Sequence, residues 1–238
     1  MNVNQIVRII PTLKVNNRNL NETFYMETLG MKVLLEESAF LSLGDQTGLE
    51  KLVLEEAPSM RSRKVEGRKK LARLLVKVEN PLEIEALLAK TDSIHRLYKG
   101  QNGYAFEIYS PEDDLVLIHA EDDRENLVEV GENPEFQTDL ESISLSKFEI
   151  SMELHLPTDV ESYLELSEVR ESLDFIPAQG QDLTVDNTVT WDLSMLKFLV
   201  NELDIASLRQ KFESTEYFIP KSEKFFLGKD RNNVELWF

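Results

Sequence analysis

The chain contains no cysteine, which excludes disulfides, thiol nucleophiles and thiolate metal sites alike. Histidine is scarce: His95, His119 and His155 are the only three imidazoles in 238 residues. No apolar run approaches the roughly 18 residues of a conventional helical membrane span. The N-terminus does not read as a secretory leader either. Met1 to Val15 is broken by Arg8 and Pro11 and lacks a small-residue cleavage pattern, so it is expected to be a first strand and the chain cytoplasmic. Positive charge is in deficit, with 26 basic against 44 acidic residues and a net charge of −18. That balance argues against nonspecific binding to nucleic acid or anionic membranes, which requires positive potential. The protease signatures His-Glu-x-x-His, Gly-x-Ser-x-Gly and Asp-Thr-Gly are missing as well.

What is present is a repeat. Hydrophobic content of 42% and charged content of 29% suit a globular chain long enough for two ordinary domains. Four helix starts are legible. Asn19 precedes Glu22 by three residues, and Leu20, Phe24 and Leu29 follow as a stripe. Asn80-Pro81-Leu82-Glu83 supplies a capping Asn, a Pro at the first helical position and a Glu that can reach back. Thr158 with Glu161 repeats that spacing before Tyr163, Leu164 and Leu166. Asp204 opens the last helix, with Ile205, Leu208 and Phe212 on one face.

Each helix follows a predicted strand: Ile6 to Leu13, Leu71 to Val78, Lys147 to Leu156 and Met195 to Val200. The third alternates strictly, with Phe148, Ile150, Met152, Leu154 and Leu156 on one face and Glu149, Ser151, Glu153 and His155 on the other. Short strands follow the helices, at Lys32–Leu35, Ala39–Leu43, Leu49–Glu55, Tyr104–Tyr109 and Leu115–Ala120. Two charged stretches read as connectors. Arg61 to Arg73 holds seven basic residues in thirteen, and it is expected to be solvated or to dock on an acidic surface of a partner or of this chain. Glu121 to Glu141 holds nine acidic residues in twenty-one and separates the halves.

Two motifs give the repeat an identity. Phe24-Tyr25-Met26-Glu27-Thr28-Leu29-Gly30 follows the first strand, and Asp230-Arg231-Asn232-Asn233-Val234-Glu235-Leu236-Trp237 closes the chain; Ser110-Pro111-Glu112-Asp113-Asp114-Leu115-Val116-Leu117 is a degraded echo of the second. These residues resemble the vicinal oxygen chelate superfamily, whose glyoxalase, bleomycin-resistance and dioxygenase members pair βαβββ modules into cups. The resemblance implies an α+β fold of tandem βαβββ modules in two half-barrel domains. Their expected bounds are 1–121 and a shorter 147–238, with an acidic linker at 122–146. The whole chain also resembles the streptococcal CppA family, described as complement-degrading proteinases. That implies a role in host complement evasion and virulence, a complement component as partner, and exposure at the cell surface or outside it.

The superfamily's metal chemistry needs His, Gln or Glu ligands on opening and closing strands. Counting back from Phe24 places the opening position on Ile10, its counterpart in the second repeat on Arg73, and the closing position on Leu117. No metal is therefore expected in the N-terminal domain. The C-terminal domain keeps Glu235, with Ser151 and Met195 as counterparts. No cofactor is expected; a divalent ion at Glu235 is the alternative.

Glu235, His155 and Glu153 are the catalytic candidates if the chain is a proteinase. Ser-x-x-Lys occurs at Ser144/Lys147 and Ser194/Lys197, a spacing common by chance. The alternative is a binding module without catalysis. Arg8, Thr12, Arg73 and His119 would then face an anionic or aromatic ligand in the first domain, and Glu149, Ser151, Glu153 and Glu235 a cationic one in the second. The substrate, the oligomeric state and whether the chain is an enzyme are not legible from these residues.

Overall fold

Each repeat begins with a strand that puts hydrocarbon on one face and polar or mixed side chains on the other. A computed structural model describes residues 4–131, 134–157, 172–213, 216–230 and 232–238. The first repeat runs β1 (Ile6–Val15), α1 (Arg18–Thr23), β2 (Lys32–Glu37), β3 (Phe40–Gly44) and β4 (Glu50–Glu56). The second runs β5 (Leu71–Val78), α2 (Pro81–Leu88), β6 (Arg96–Gly100), β7 (Gly103–Tyr109) and β8 (Leu115–His119), and a short β9 (Val128–Glu129) follows it. Described residues of the third give β10 (Phe148–Pro157) and β11 (Leu173–Ala178). The fourth gives β12 (Leu193–Val200), α3 (Ile205–Lys211), β13 (Tyr217–Phe218), β14 (Leu227–Lys229) and β15 (Glu235–Trp237). The helix expected after Thr158 lies outside the described residues. No helix among them is long and apolar enough to cross a membrane.

The caps explain where helices start. Asn80 and Asp204 accept from backbone N–H groups of their first turns, as expected. The first helix is capped by Asn17 rather than Asn19, the Asn17 side chain accepting from the Leu20 N–H at 3.0 Å. Glu83 does not reach back to Asn80; its carboxylate instead accepts from the Ser146 N–H. Phe24–Thr28 widens into a π turn that ends at Gly30, where φ is +68°.

The sheets join the repeats crosswise. One sheet of eight strands has the order β13-β14-β15-β12-β1-β4-β3-β2, and the other, of seven, β11-β10-β5-β8-β7-β6-β9. First and fourth repeats thus share a sheet through antiparallel β1 and β12, and second and third through antiparallel β5 and β10. The paired-repeat units expected at 1–121 and 147–238 are not the units that hydrogen bonding builds. In three repeats the opening strand pairs in parallel with the closing one, and the hairpin strands lie outside it. The third keeps only an opening strand and a parallel β11 among its described residues. One core collects the helix-side faces of both sheets, including Tyr25, Leu29, Leu54, Leu74, Phe148 and Phe198. Its opposite faces form two cups.

The connectors are built into this arrangement. Arg63 holds Asp182 through both terminal nitrogens at 2.7 and 2.8 Å, Lys64 pairs with Asp113, and Lys69 pairs with buried Asp114. The basic run docks on the chain's own acids.

Candidate functional site

Register alone maps the eight-stranded cup. Residues directly paired across strands share a face, so the pairings Lys229–Glu235–Met195–Thr12–Val53–Ser42–Leu35 trace one row across the concave side. The next row runs Phe218–Leu227–Trp237–Lys197–Ile10. Arg8 lies one row further, opposite Leu199. Val234 and Leu236 are buried in the core, which fixes Glu235 between them on the cup side. Leu35, Phe40 and Phe218 remain exposed, and Trp237 packs on Phe225 with ring centroids 4.9 Å apart.

The charges of this cup are mostly spoken for. Lys197 bonds Glu50 at 3.0 Å, Ser42 donates to the other oxygen of that carboxylate, Lys14 lies 3.5 Å from Glu55, and Lys229 bonds Asp186 at 2.6 Å. Among the described residues Arg8 reaches only the Glu50 carbonyl, at 3.4 Å. Glu235 has neither a hydrogen bond nor an ion pair among the described residues. A divalent ion at Glu235 would find the Lys229 ammonium on one side in the row and a thioether, a hydroxyl and hydrocarbon on the other, which does not fit the hard oxygen and imidazole set such an ion needs. Among the described residues no three His, Asp or Glu side chains converge as a metal group.

The seven-stranded cup is different in kind. Its rows are Glu149–Lys77–His119, Ser151–Leu75–Leu117–Glu107–Arg96 and Asp174–Glu153–Arg73. Arg73 bonds Glu153 through Nε and Nη2 at 3.0 and 2.7 Å and buried Glu107 through Nη1 at 2.6 Å. Tyr98 donates to the second Glu107 oxygen. Burial alone would raise the Glu153 pKa, but the hydrogen bonds from Arg73 and Arg124 prevail and hold it below the usual carboxylate value. A base so tightly paired is not free to take a proton.

Residues 120–130 cross this cup as a strap. The buried Glu121 carboxylate accepts from the Asn102 N–H at 2.5 Å in space left by Gly100. Arg124, on a single 3₁₀ turn capped by Asp123, bonds Glu153 at 2.7 Å and Asp174 at 2.6 Å. Leu127 covers the apolar patch of Leu75, Ala105 and Leu117, and β9 then pairs with β6. The first part of the acidic stretch is therefore not a solvated linker. Beneath the strap His119 is 4% exposed, and its Nδ1 has no partner among the described residues. Burial, then the charges of Arg124, Lys77 and Arg73, push its pKa down to about 4.

The structure thus divides the residues that sequence reasoning grouped. Arg8, Thr12 and Glu235 line one cup; Arg73, His119, Ser151, Glu149, Glu153 and His155 belong to the other. His155 sits at the open end of the second cup, its Nδ1 2.8 Å from the Lys69 carbonyl, in a groove of about 480 Å³ shared with His95, Glu107 and Tyr109. The Ser-x-x-Lys pairs do not assemble. Ser194 donates to the Thr12 carbonyl from the core side of β12, whereas Lys197 projects from the other face; Lys147 pairs with Glu79. Glu107 and Arg124 escaped sequence reasoning, although Arg124 is the one basic residue between Glu121 and Glu141.

Comparisons with known proteins agree with this geometry. The family models described as CppA N-terminal and CppA C-terminal match residues 8–130 and 145–238. The chain is 89% identical to the cppA protein from Streptococcus pneumoniae TIGR4, whose crystal structure superposes with a TM-score of 0.95 over 100% of this chain and 99% of that one. Distant likeness extends to a candidate dioxygenase from Bacillus subtilis, with TM-score 0.61, 12% identity and coverage of 98% and 84%. A glyoxalase I variant from Zea mays gives TM-score 0.59, 12% identity and coverage of 97% and 91%. These two matches establish the glyoxalase-like fold and nothing further. No curated protein matches the chain.

Proposed function

The chain belongs to the CppA family, and from that premise we propose a binding protein that works without a metal, whose eight-stranded cup takes an organic cation with an apolar body. The observation that carries this reading is Glu235: a cup-facing carboxylate with no partner among the described residues, beside Met195 and one row from Trp237, which packs at a tilt on Phe225. A carboxylate and an indole face together favour a cation that sheds its water easily, by about 1–2 kcal/mol for the aromatic part. The neighbouring lysines are paired with other acids, so they leave the Glu235 charge uncompensated.

The family resemblance implies a complement-degrading proteinase. Hydrolysis of a peptide needs an activated nucleophile, a base and an oxyanion stabiliser in mutual reach. Ser194 and Lys197 face apart and Glu153 is held by two guanidinium groups, so engagement of a complement component is, on this reading, binding without cleavage. Titrating benzyltrimethylammonium while following Trp237 fluorescence tests the cup; saturable quenching is expected, weakened about tenfold in Glu235→Gln. An unchanged titration in that variant would remove Glu235 from the site. In parallel, purified third complement component incubated with the protein, with and without chelator, should stay intact by mass spectrometry. Defined new termini that scale with protein would overturn the binding reading.

A further inference from the structure

The strap over the seven-stranded cup shows what that cup recognises. Glu153 and Asp174 lie in adjacent register on β10 and β11 and present one oxygen each to Arg124, at 2.7 Å from Nη1 and 2.6 Å from Nη2. Arg73 holds Glu153 from behind through two bonds, so the carboxylate is oriented before anything enters. Two acids spaced to receive the two ends of one planar fork select a guanidinium over an ammonium, which is a compact point charge with no such fork.

A second observation points to an occupant other than the strap. Under it, His119 faces the cup with Nδ1 buried and unpartnered. Burial keeps the ring neutral at physiological pH, and whichever way its proton sits, the buried Nδ1 is a hydrogen-bonding group left unmet among the described residues. Such a group is costly to leave unpaired. The strap therefore fills the cup without satisfying it. Its other holds are the Glu121 carboxylate on the Asn102 N–H, Asp122 on Lys77 at 2.6 Å, Leu127 on a patch of three side chains, the two-residue β9, and Val130 N–H to the Leu97 carbonyl at 2.8 Å.

We infer that the seat between Glu153 and Asp174 is a guanidinium-binding site filled in cis by Arg124, and that an arginine of a partner protein enters it by displacing the strap. The strap stands in the way as a tethered competitor, and its closed population divides the partner's apparent affinity. This seat is on the other sheet and does not depend on what binds at Glu235.

Calorimetric titration of the full chain with N-acetyl-arginine N-methylamide, and with the lysine equivalent, tests it. Arg124→Ala is expected to bind the arginine probe about tenfold more tightly than the unaltered chain. The lysine probe should bind neither, and adding Glu153→Gln to Arg124→Ala should abolish binding. Equal affinity with and without Arg124, or equal affinity for the two probes, would overturn the inference. Should Arg124→Ala fail to fold, hydrogen exchange on the unaltered chain decides. Saturating arginine probe should speed exchange at the Val130 amide and leave the Leu117 amide protected, whereas an unmoved Val130 amide means that the strap is not displaced.

Discussion

Two buried groups titrate against each other across the same pH range. Burial raises Asp230 to a pKa of about 7; the Val234 N–H and the charge of Lys70 offset only part of that, and Oδ2 has no partner among the described residues. Its folded value lies above the unfolded value of about 4, so the stability it contributes is complete below pH 4 and is lost as pH rises through 7. His119 runs the other way. Its folded value of about 4 lies below the unfolded value of about 6.5, so its contribution is complete above pH 6.5 and lost as pH falls through 4. Each is worth on the order of 3 kcal/mol, and in the intact chain the two slopes largely cancel. Asp230→Asn mimics the protonated acid and removes one slope. Urea melts of that variant should gain stability steadily from pH 4 to 6.5, and those of His119→Gln should lose it from pH 4 to 7. A flat profile in both variants would show that neither group titrates inside this range.

Among the elements, the Leu29-Gly30 stop does more than end a helix. Gly30 adopts φ +68°, its carbonyl accepts from the Leu145 N–H at 2.8 Å, and a Cβ there would come 3.2 Å from Leu87 and 3.3 Å from Leu145. The motif joins the first repeat to α2 and to the end of the acidic stretch. Gly30→Ala should therefore cost more than the 1–2 kcal/mol of a left-handed alanine. Gly48→Ala, at φ +76° with no atom within 4 Å, should cost only the backbone part; urea melts of the two separate conformation from contact. The motif and its stop were legible because they are local. So were the ends of β5 and the alternation of β10, whose apolar residues all reached the core. What stayed hidden was long-range. Nothing near Arg63 announces Asp182, and nothing near Arg73 announces Glu107 and Glu153, because side-chain period records which face is buried and not which strand arrives opposite. Glu83 is a small case of the same limit: its capping-box spacing is right, yet Ser146 claims the carboxylate.

At the scale of the whole molecule, that hidden pairing decides what can fold alone. In each sheet two opening strands from opposite halves of the chain pair with each other, β1 against β12 and β5 against β10. The connectors repeat the crossing: Arg63 with Asp182, Ser62 Oγ to the Thr188 carbonyl, the Lys70 and Leu71 N–H groups to Asp192, and Trp191 Nε1 to the Ala57 carbonyl. Asp192 is wholly buried and held by backbone donors from the other half, a poor group to leave unpaired. A fragment of residues 1–130 would bare the inner edges of both β1 and β5, and one of 145–238 those of β10 and β12, long strands with a hydrophobic face. Such edges aggregate or stay unfolded. Neither fragment should give a cooperative thermal transition alone, and co-expression should restore one complex with the melt of the intact chain. A residue 1–130 fragment that melts cooperatively as a monomer would mean that the first two repeats can pair with each other. The crosswise sheets would then be one of two arrangements open to the same modules rather than the condition for folding.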